Sequence, residues 1–207
     1  IWTLMLLDGS ELNTPKERET WTLKSKFRII PRDFVKLNNG KVVIEIEEVG
    51  IGSDTLSFDE YVELRLMSLL IKITSATPCY KSIFKFMQSY NVTIFDLVFS
   101  MLKNTHIASD NLQKFFEEFK QYTIDELWDS GEELIQHYQN PHEYEKLLNG
   151  SAGQNVAFYF HAIAISEQMS DFTDFCIKTA KKLIEKNTDE DFSTELNAVS
   201  EYCHGSC

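Results

Sequence analysis

Residues 26–65, KFRIIPRDFVKLNNGKVVIEIEEVGIGSDTLSFDEYVELR, form the stretch that decides the fold. Two β-prone runs, residues 27–30 and 41–47, flank Asn38-Asn39-Gly40, and Asn and Gly tolerate the positive φ angles of a tight turn. In the second run, apolar side chains alternate with mostly acidic ones, which is typical of a strand with one buried face. The stretch therefore predicts a β-hairpin, in which Pro31 ends the first strand or lies at an edge.

The chain changes from sheet to helix directly after this hairpin. Ser57-Phe58-Asp59-Glu60 has the pattern of a capping box, in which serine and glutamate side chains bind the first free N–H groups of a helix. Apolar residues spaced three or four apart then predict a helix over residues 58–73. Similar signals recur to the end of the chain, including capping boxes at Thr93-x-x-Asp96 and Thr123-x-x-Glu126. The most apolar helix, over residues 154–169, is expected at the centre of the bundle.

These signals together predict an α+β, mostly α fold. An N-terminal buried strand and a β-hairpin precede a bundle of seven to nine helices. We expect three regions: residues 1–56 with the strand and hairpin, residues 57–187 with the helices, and residues 188–207 as an acidic, cysteine-containing tail or last helix.

The first seven residues, IWTLMLL, are apolar at nearly every position. Such a run is typical of a strand that is buried on both faces, as in parallel sheets covered by helices. Exposed apolar side chains and an open strand edge favour association. We therefore expect that the chain forms a homo-oligomer through the strand of residues 1–7.

The order of four segments resembles a known family. MLLDGSEL, then KFRIIPRDF, then a glycine-turned strand ending in EIEEV, then TLSFDEYVELR, is similar to the segment that follows the catalytic barrel in cobalamin-binding radical S-adenosylmethionine enzymes. In this resemblance, residues 1–8 correspond to a last barrel strand and Gly9-Ser10-Glu11 to a Gly-Thr-Glu-like turn. The resemblance covers residues 4–66. Asp8 stands where a small residue or proline is expected, and Ser10 replaces threonine.

The resemblance implies a C-terminal accessory domain that closes the barrel mouth and shapes the substrate pocket. The family's Cys-x₃-Cys-x₂-Cys motif is absent from this sequence, so the catalytic barrel with the cluster is expected upstream of Ile1. The resemblance implies that the parent enzyme uses a 4Fe-4S cluster and S-adenosylmethionine. It leaves open whether the parent also uses cobalamin, and it implies no cofactor held by this chain. The alternative function is a free-standing helical protein-interaction domain without catalysis.

The substrate-facing candidates are the turn after the first strand and three arginines: Gly9, Ser10, Glu11, Arg28, Arg32 and Arg65. Arg28 or Arg32 could clamp a substrate carboxylate or phosphate by two parallel hydrogen bonds, or form a surface salt bridge to Asp33 or Glu47. Arg65 lies on the apolar stripe of the predicted helix. It either binds an anion facing the barrel, or extends its stem to solvent or pairs with a carboxylate.

Charge and cysteine content exclude several classes of function. The net charge is −12, and residues 57–207 carry twelve basic against twenty-three acidic side chains, so nucleic-acid binding is not expected. The acidic side chains of residues 117–133, including Glu126, are interpreted as helix caps and a solvated face. Cys203-His204-Gly205-Ser206-Cys207 supplies too few ligands for zinc, so no metal site is predicted. The cysteine spacing is not that of a disulfide framework, which favours the cytoplasm. No apolar run approaches the roughly 18 residues of a membrane span.

Overall fold

The computed structural model describes residues 3–206, and it confirms the α+β, mostly α class. Within that range, one two-stranded antiparallel sheet is accompanied by ten α-helices, nine of which follow the hairpin. The elements in chain order are α1 (Pro15–Thr20), β1 (Lys24–Lys36), β2 (Val42–Gly52), α2 (Phe58–Ala76), α3 (Tyr80–Gln88), α4 (Ile94–Lys103), α5 (Asp110–Asp125), α6 (Gly131–His137), α7 (Pro141–Leu148), α8 (Val156–Glu167), α9 (Met169–Ile184) and α10 (Ser193–Ser206).

The chain divides into two compact units, each built from two separate segments. The first unit contains the residues up to Arg65 together with Lys120–Val156. The second unit contains Leu66–Phe119 together with the residues from Ala157 onward. We call them the hairpin unit and the helical unit.

The predicted hairpin is confirmed, and both strands are longer than the sequence pattern indicated. β1 and β2 pair in antiparallel register, and Gly40 has the positive φ angle of +83° that the turn requires. Pro31 does not end β1. It lies in an irregular segment between the Ile29–Ile46 and Phe34–Ile44 pairs, where the register shifts.

The two faces of β2 belong to two different parts of the core of the hairpin unit. Val42 and Ile44 are buried on one face, with Leu134, Tyr138, Tyr144 and Leu147 of the α6–α7 region. Because successive strand residues face opposite sides, Glu47, Val49 and Ile51 share the other face. There, Val49 and Ile51 pack in a cluster that also contains Tyr61, Val62 and Leu127. This second face carries the polar cluster described below.

The apolar N-terminal run adds to the hairpin sheet, but it is not buried on both faces. Leu6 donates its N–H to the Glu48 carbonyl, and Gly50 donates to the Leu4 carbonyl. The missing side chain of Gly50 leaves room for Leu4, since a Cβ there would lie 3.1 Å from Leu4 Cδ2. Leu6 is buried, but the expectation of burial on both faces is wrong for three neighbours that are 40–56% exposed: Leu4, Met5 and Leu7. Ile1 and Trp2 of the predicted strand lie outside the described residues.

Helix starts follow the local capping signals in two of the three predicted boxes. Ser57 and Glu60 exchange the reciprocal hydrogen bonds of a capping box at 2.8 and 3.2 Å. Thr93 caps α4 in the same way with Asp96. The box predicted at Thr123 is wrong, because α5 continues through Thr123 to Asp125 and the following helix is capped by Ser130.

The core of the helical unit is built on phenylalanine. Rings from α5, α8 and α9 meet mostly edge to face, with centroid distances of 5.2–6.0 Å: Phe115, Phe116, Phe119, Phe160, Phe172 and Phe175. α8 was expected at the centre of the bundle; its Phe160 and Ala164 are buried there, whereas its Phe158 is 64% exposed. The last predicted region forms α10, whose Leu196 and Cys203 are buried. Cys207 lies outside the described residues.

Candidate functional site: a buried arginine–glutamate cluster

Two of the candidate arginines meet in one cluster inside the hairpin unit. Arg28 donates from Nε to Glu47 at 2.6 Å and from Nη1 to Glu126 at 3.0 Å. Arg65 donates from Nη2 to the same Glu126 oxygen at 3.2 Å. We call Arg28, Glu47, Arg65 and Glu126 the Arg–Glu cluster. It contains two positive and two negative side chains, so its formal charge is balanced.

The sequence positions each member of the cluster through its local element. Arg28 and Glu47 are direct partners in the register of β1 and β2, so their side chains project on the same face. Arg65 lies four residues after Tyr61 and three after Val62, both buried, so α2 presents it on that side of the helix. Glu126 directly follows α5, next to the buried Leu127.

The electrostatic interactions in the cluster are stronger than those of surface ion pairs, because its side chains are buried. The four side chains are only 11–15% exposed. Burial raises the pKa of Glu126, and the nearby Arg28 and Arg65 guanidinium groups oppose that shift. Burial opposes the protonated form of Arg28, yet the carboxylates of Glu126 and Glu47 raise its pKa overall. The positive arginines and the negative glutamates therefore stabilise each other's charged forms. Loss of one member leaves a buried charge without a partner.

The cluster also joins the N-terminal segment to the rest of the hairpin unit. Arg65 donates from Nη1 to the Thr3 hydroxyl at 2.8 Å. One buried polar atom beside it, Arg65 Nε, has no hydrogen-bond partner within the described residues. The other two nitrogens of Arg65 donate to Thr3 and Glu126. Arg65 therefore pairs with a carboxylate of this chain, which is one of the roles that the sequence suggests for it. A substrate anion would have to displace Glu126 or Glu47 to be clamped by these arginines.

A second hydrogen-bond network connects the segment after the N-terminal strand to Glu48 of β2. Arg18 donates to Glu48 at 2.6 Å and to Asn13 at 2.7 Å, and Asn13 donates to the Leu6 carbonyl at 3.1 Å. Ser25 donates to the other Glu48 oxygen. Burial opposes ionisation, but the hydrogen bonds from Arg18 and Ser25 lower the pKa of Glu48 overall.

The remaining candidates lie apart from the Arg–Glu cluster. Gly9 has a φ angle of +80°, the Ser10 hydroxyl donates to the Leu7 carbonyl at 2.8 Å, and Glu11 begins a short 3₁₀ turn. Arg32 is exposed and has a φ angle of +69°, which is strained for an arginine. Within residues 3–206, none of these four forms a hydrogen bond or ion pair with the cluster.

Glu126 is the member of the cluster that sequence reasoning missed. It was interpreted as a cap or a solvated side chain, and that interpretation is wrong, since its side chain is 14% exposed and paired with two arginines. Its partners lie 98 and 61 residues away in sequence. The available signal was Leu127, an apolar residue that follows directly and predicts burial at this point.

The cysteines also depart from the expectation based on their spacing. Cys79 is disulfide-bonded, whereas Cys176 and Cys203 are free and buried. Burial raises the pKa of the Cys203 thiol, which makes it a poor nucleophile. In the range from Thr3 to Ser206, no three His, Cys, Asp or Glu side chains are grouped so as to hold a metal ion.

No helix in the described part of the chain has the length and apolar character needed to cross a membrane.

No protein-family model matches this chain, and no curated protein matches its sequence.

Proposed function

We propose that this chain is the C-terminal accessory region of a radical S-adenosylmethionine enzyme of the cobalamin-binding kind. The order of motifs in residues 4–66 supports this proposal. In it, the hairpin unit caps the mouth of a catalytic barrel that lies upstream of Ile1 in the same polypeptide. The 4Fe-4S cluster, S-adenosylmethionine and cobalamin are bound there, and this chain contributes substrate-shaping surface.

One observation carries the proposal: among the described residues, the backbone of Met5 is paired on one edge only. Met5 pairs with Val49 in an antiparallel bridge, closed by the hydrogen bonds of Leu4 and Leu6. In a pair of this type, the backbone N–H and C=O of Met5 point away from β2. An open edge with exposed Leu4, Met5 and Leu7 side chains is what the last strand of a barrel requires for pairing with its neighbour.

The Arg–Glu cluster gives this arrangement a physical basis. Through Thr3 and Arg65, it holds the N-terminal segment at a fixed place on the hairpin unit. The adjacent Gly9-Ser10-Glu11 turn would then lie at the C-terminal end of the last barrel strand, where barrel enzymes place their substrate. Arg32 is exposed within the irregular part of β1 and forms no hydrogen bond or ion pair among the described residues, so its guanidinium group would be available to a substrate anion.

The alternative function, a free-standing protein-interaction domain, is favoured by one separate observation. On α4, Phe95 and Phe99 are 62% and 45% exposed and stack on each other with centroids 5.7 Å apart. Exposed aromatic side chains in contact are typical of protein-binding surfaces.

Localisation in the cytoplasm is part of the proposal. The free thiols of Cys176 and Cys203 support it, because reduced cysteines are typical of that compartment. The disulfide at Cys79 argues against this localisation, because disulfides are typical of oxidising compartments.

The test that separates the two functions is the coding sequence immediately upstream of the Ile1 codon. The accessory-domain proposal expects an open reading frame with a Cys-x₃-Cys-x₂-Cys motif within about 250 residues, the length of one barrel. A start codon directly before Ile1 would overturn that proposal and leave the interaction domain.

A further inference from the structure

A cleft in the helical unit has a composition that differs from the rest of this acidic chain. It lies between the C-terminal parts of α4 and α9 and has a volume of about 440 Å³. Its polar lining comes from both helices and from the residues just after them: Ser100, Asn104, Thr179, Lys182, Glu185 and Lys186. Two aliphatic side chains complete the wall.

The charge balance of this lining is positive. Its one carboxylate, Glu185, already faces the ammonium group of Lys181 at 3.9 Å. Lys178 donates to the Ile107 carbonyl at 2.8 Å. In contrast, the side chains of Lys182 and Lys186 form no hydrogen bond or ion pair within the described residues. Both side chains are exposed, so each ammonium group is accessible to a ligand in the cleft.

The neutral groups of the lining supply further hydrogen-bonding capacity. Asn104 donates to the Ser100 carbonyl at 2.8 Å and lies 3.5 Å from the Ser100 hydroxyl oxygen. The Thr179 hydroxyl donates to the Phe175 carbonyl at 2.7 Å. The Ser100 hydroxyl hydrogen has no acceptor among the described residues, so it can be donated to a ligand.

From this geometry we propose that the cleft binds a small dianion of the phosphate-monoester class, with Lys182 and Lys186 as the charged contacts and Ser100 as a hydrogen-bond donor. Lysine ammonium groups bind phosphate oxygens as point charges, and a hydroxyl donor adds direction. The inference is independent of the proposed function, since it uses only residues of the helical unit. The competing role for these lysines is to compensate the negative C-terminal end of the α9 dipole, which requires no ligand.

A titration of the chain with inorganic phosphate and with glycerol phosphate at low ionic strength tests this proposal, followed by two-dimensional ¹H–¹⁵N NMR. We expect saturable shifts of the Ser100 and Asn104 amide signals below about 10 mM ligand. Saturation by glycerol phosphate but not by free phosphate would identify the ligand as an ester. Absence of saturable shifts, or shifts confined to other regions, would overturn the proposal.

Two double variants with equal charge loss provide the control. Lys182→Gln with Lys186→Gln should weaken binding by about tenfold or more, since both charged contacts are lost. Lys81→Gln with Lys85→Gln removes two exposed charges from α3, outside the cleft, and should retain binding. Equal weakening in both variants would reveal general electrostatic attraction and contradict a specific site. Circular dichroism shows whether each variant is folded. If a variant is unfolded, the location of the shifted signals in the wild-type titration tests the proposal by itself.

Discussion

Replacing Glu126 with alanine is the sharpest perturbation of the Arg–Glu cluster, because one carboxylate oxygen serves both arginines. The distances from that oxygen are 3.0 Å to Arg28 and 3.2 Å to Arg65. At an effective dielectric constant of 20, each pair at about 3 Å corresponds to roughly 5 kcal/mol of Coulomb energy before the cost of removing the charges from water.

The net effect is smaller than this Coulomb energy because desolvation offsets much of it. Removal of one partner from a buried ion pair typically costs about 3–5 kcal/mol. Glu47 remains to compensate Arg28, so we expect a loss near the lower end, about 3 kcal/mol of unfolding free energy. Glu126→Gln keeps a hydrogen-bond acceptor and should lose less than Glu126→Ala.

Urea-induced unfolding monitored by tryptophan fluorescence measures this loss, since Trp21 and Trp128 both belong to the hairpin unit. Asp129→Ala is the matched control: Asp129 pairs with Lys26 at 2.5 Å, but its side chain is 85% exposed. Exposed pairs contribute little to stability. A Glu126→Ala variant that is no less stable than Asp129→Ala would refute the argument that the cluster holds the unit together.

Four further predictions follow from individual contacts. Glu48 has a lowered pKa, so its stabilising effect is lost as pH falls below its ordinary value of 4.5; the melting-temperature difference between wild type and Glu48→Gln should shrink in that range. Gly131→Ala should lower the melting temperature despite alanine's helix propensity, because the added Cβ would lie 2.7 Å from Ile46 Cδ1, and a rise would contradict this. If the chain belongs to a radical S-adenosylmethionine enzyme as proposed, Arg32→Ala in that enzyme should raise KM, and unchanged kinetics would show that Arg32 does not contact the substrate. The isolated chain should associate through the edge of residues 4–6 in a light-scattering concentration series, and a strict monomer with that segment protected from hydrogen exchange would contradict this.

The parts of the fold that the sequence predicts correctly are those decided by neighbouring residues. The hairpin follows from apolar residues at every second position from 42 to 46 and from a glycine that adopts a positive φ angle. The start of α2 follows from a serine and a glutamate three residues apart. Each of these interactions is complete within a few residues, so no knowledge of the tertiary structure is needed.

The parts that local patterns misassign are those decided by distant partners. Thr123-x-x-Glu126 has the spacing of a capping box, but the buried position of Thr123 lets α5 continue and brings Glu126 to two arginines. No local pattern indicates that Gly131, the first residue of α6, lies beside Ile46 and Phe27 of the hairpin. In both cases the decisive contact joins segments more than 50 residues apart.

Iron analysis of the full-length gene product, after anaerobic reconstitution, is the most direct test of the central proposal. The account predicts about four iron atoms per full-length chain, the content of one 4Fe-4S cluster, and no bound iron in residues 1–207 alone. A full-length product that binds no iron, or an isolated residue 1–207 chain that retains stoichiometric iron with a charge-transfer absorbance, would contradict it.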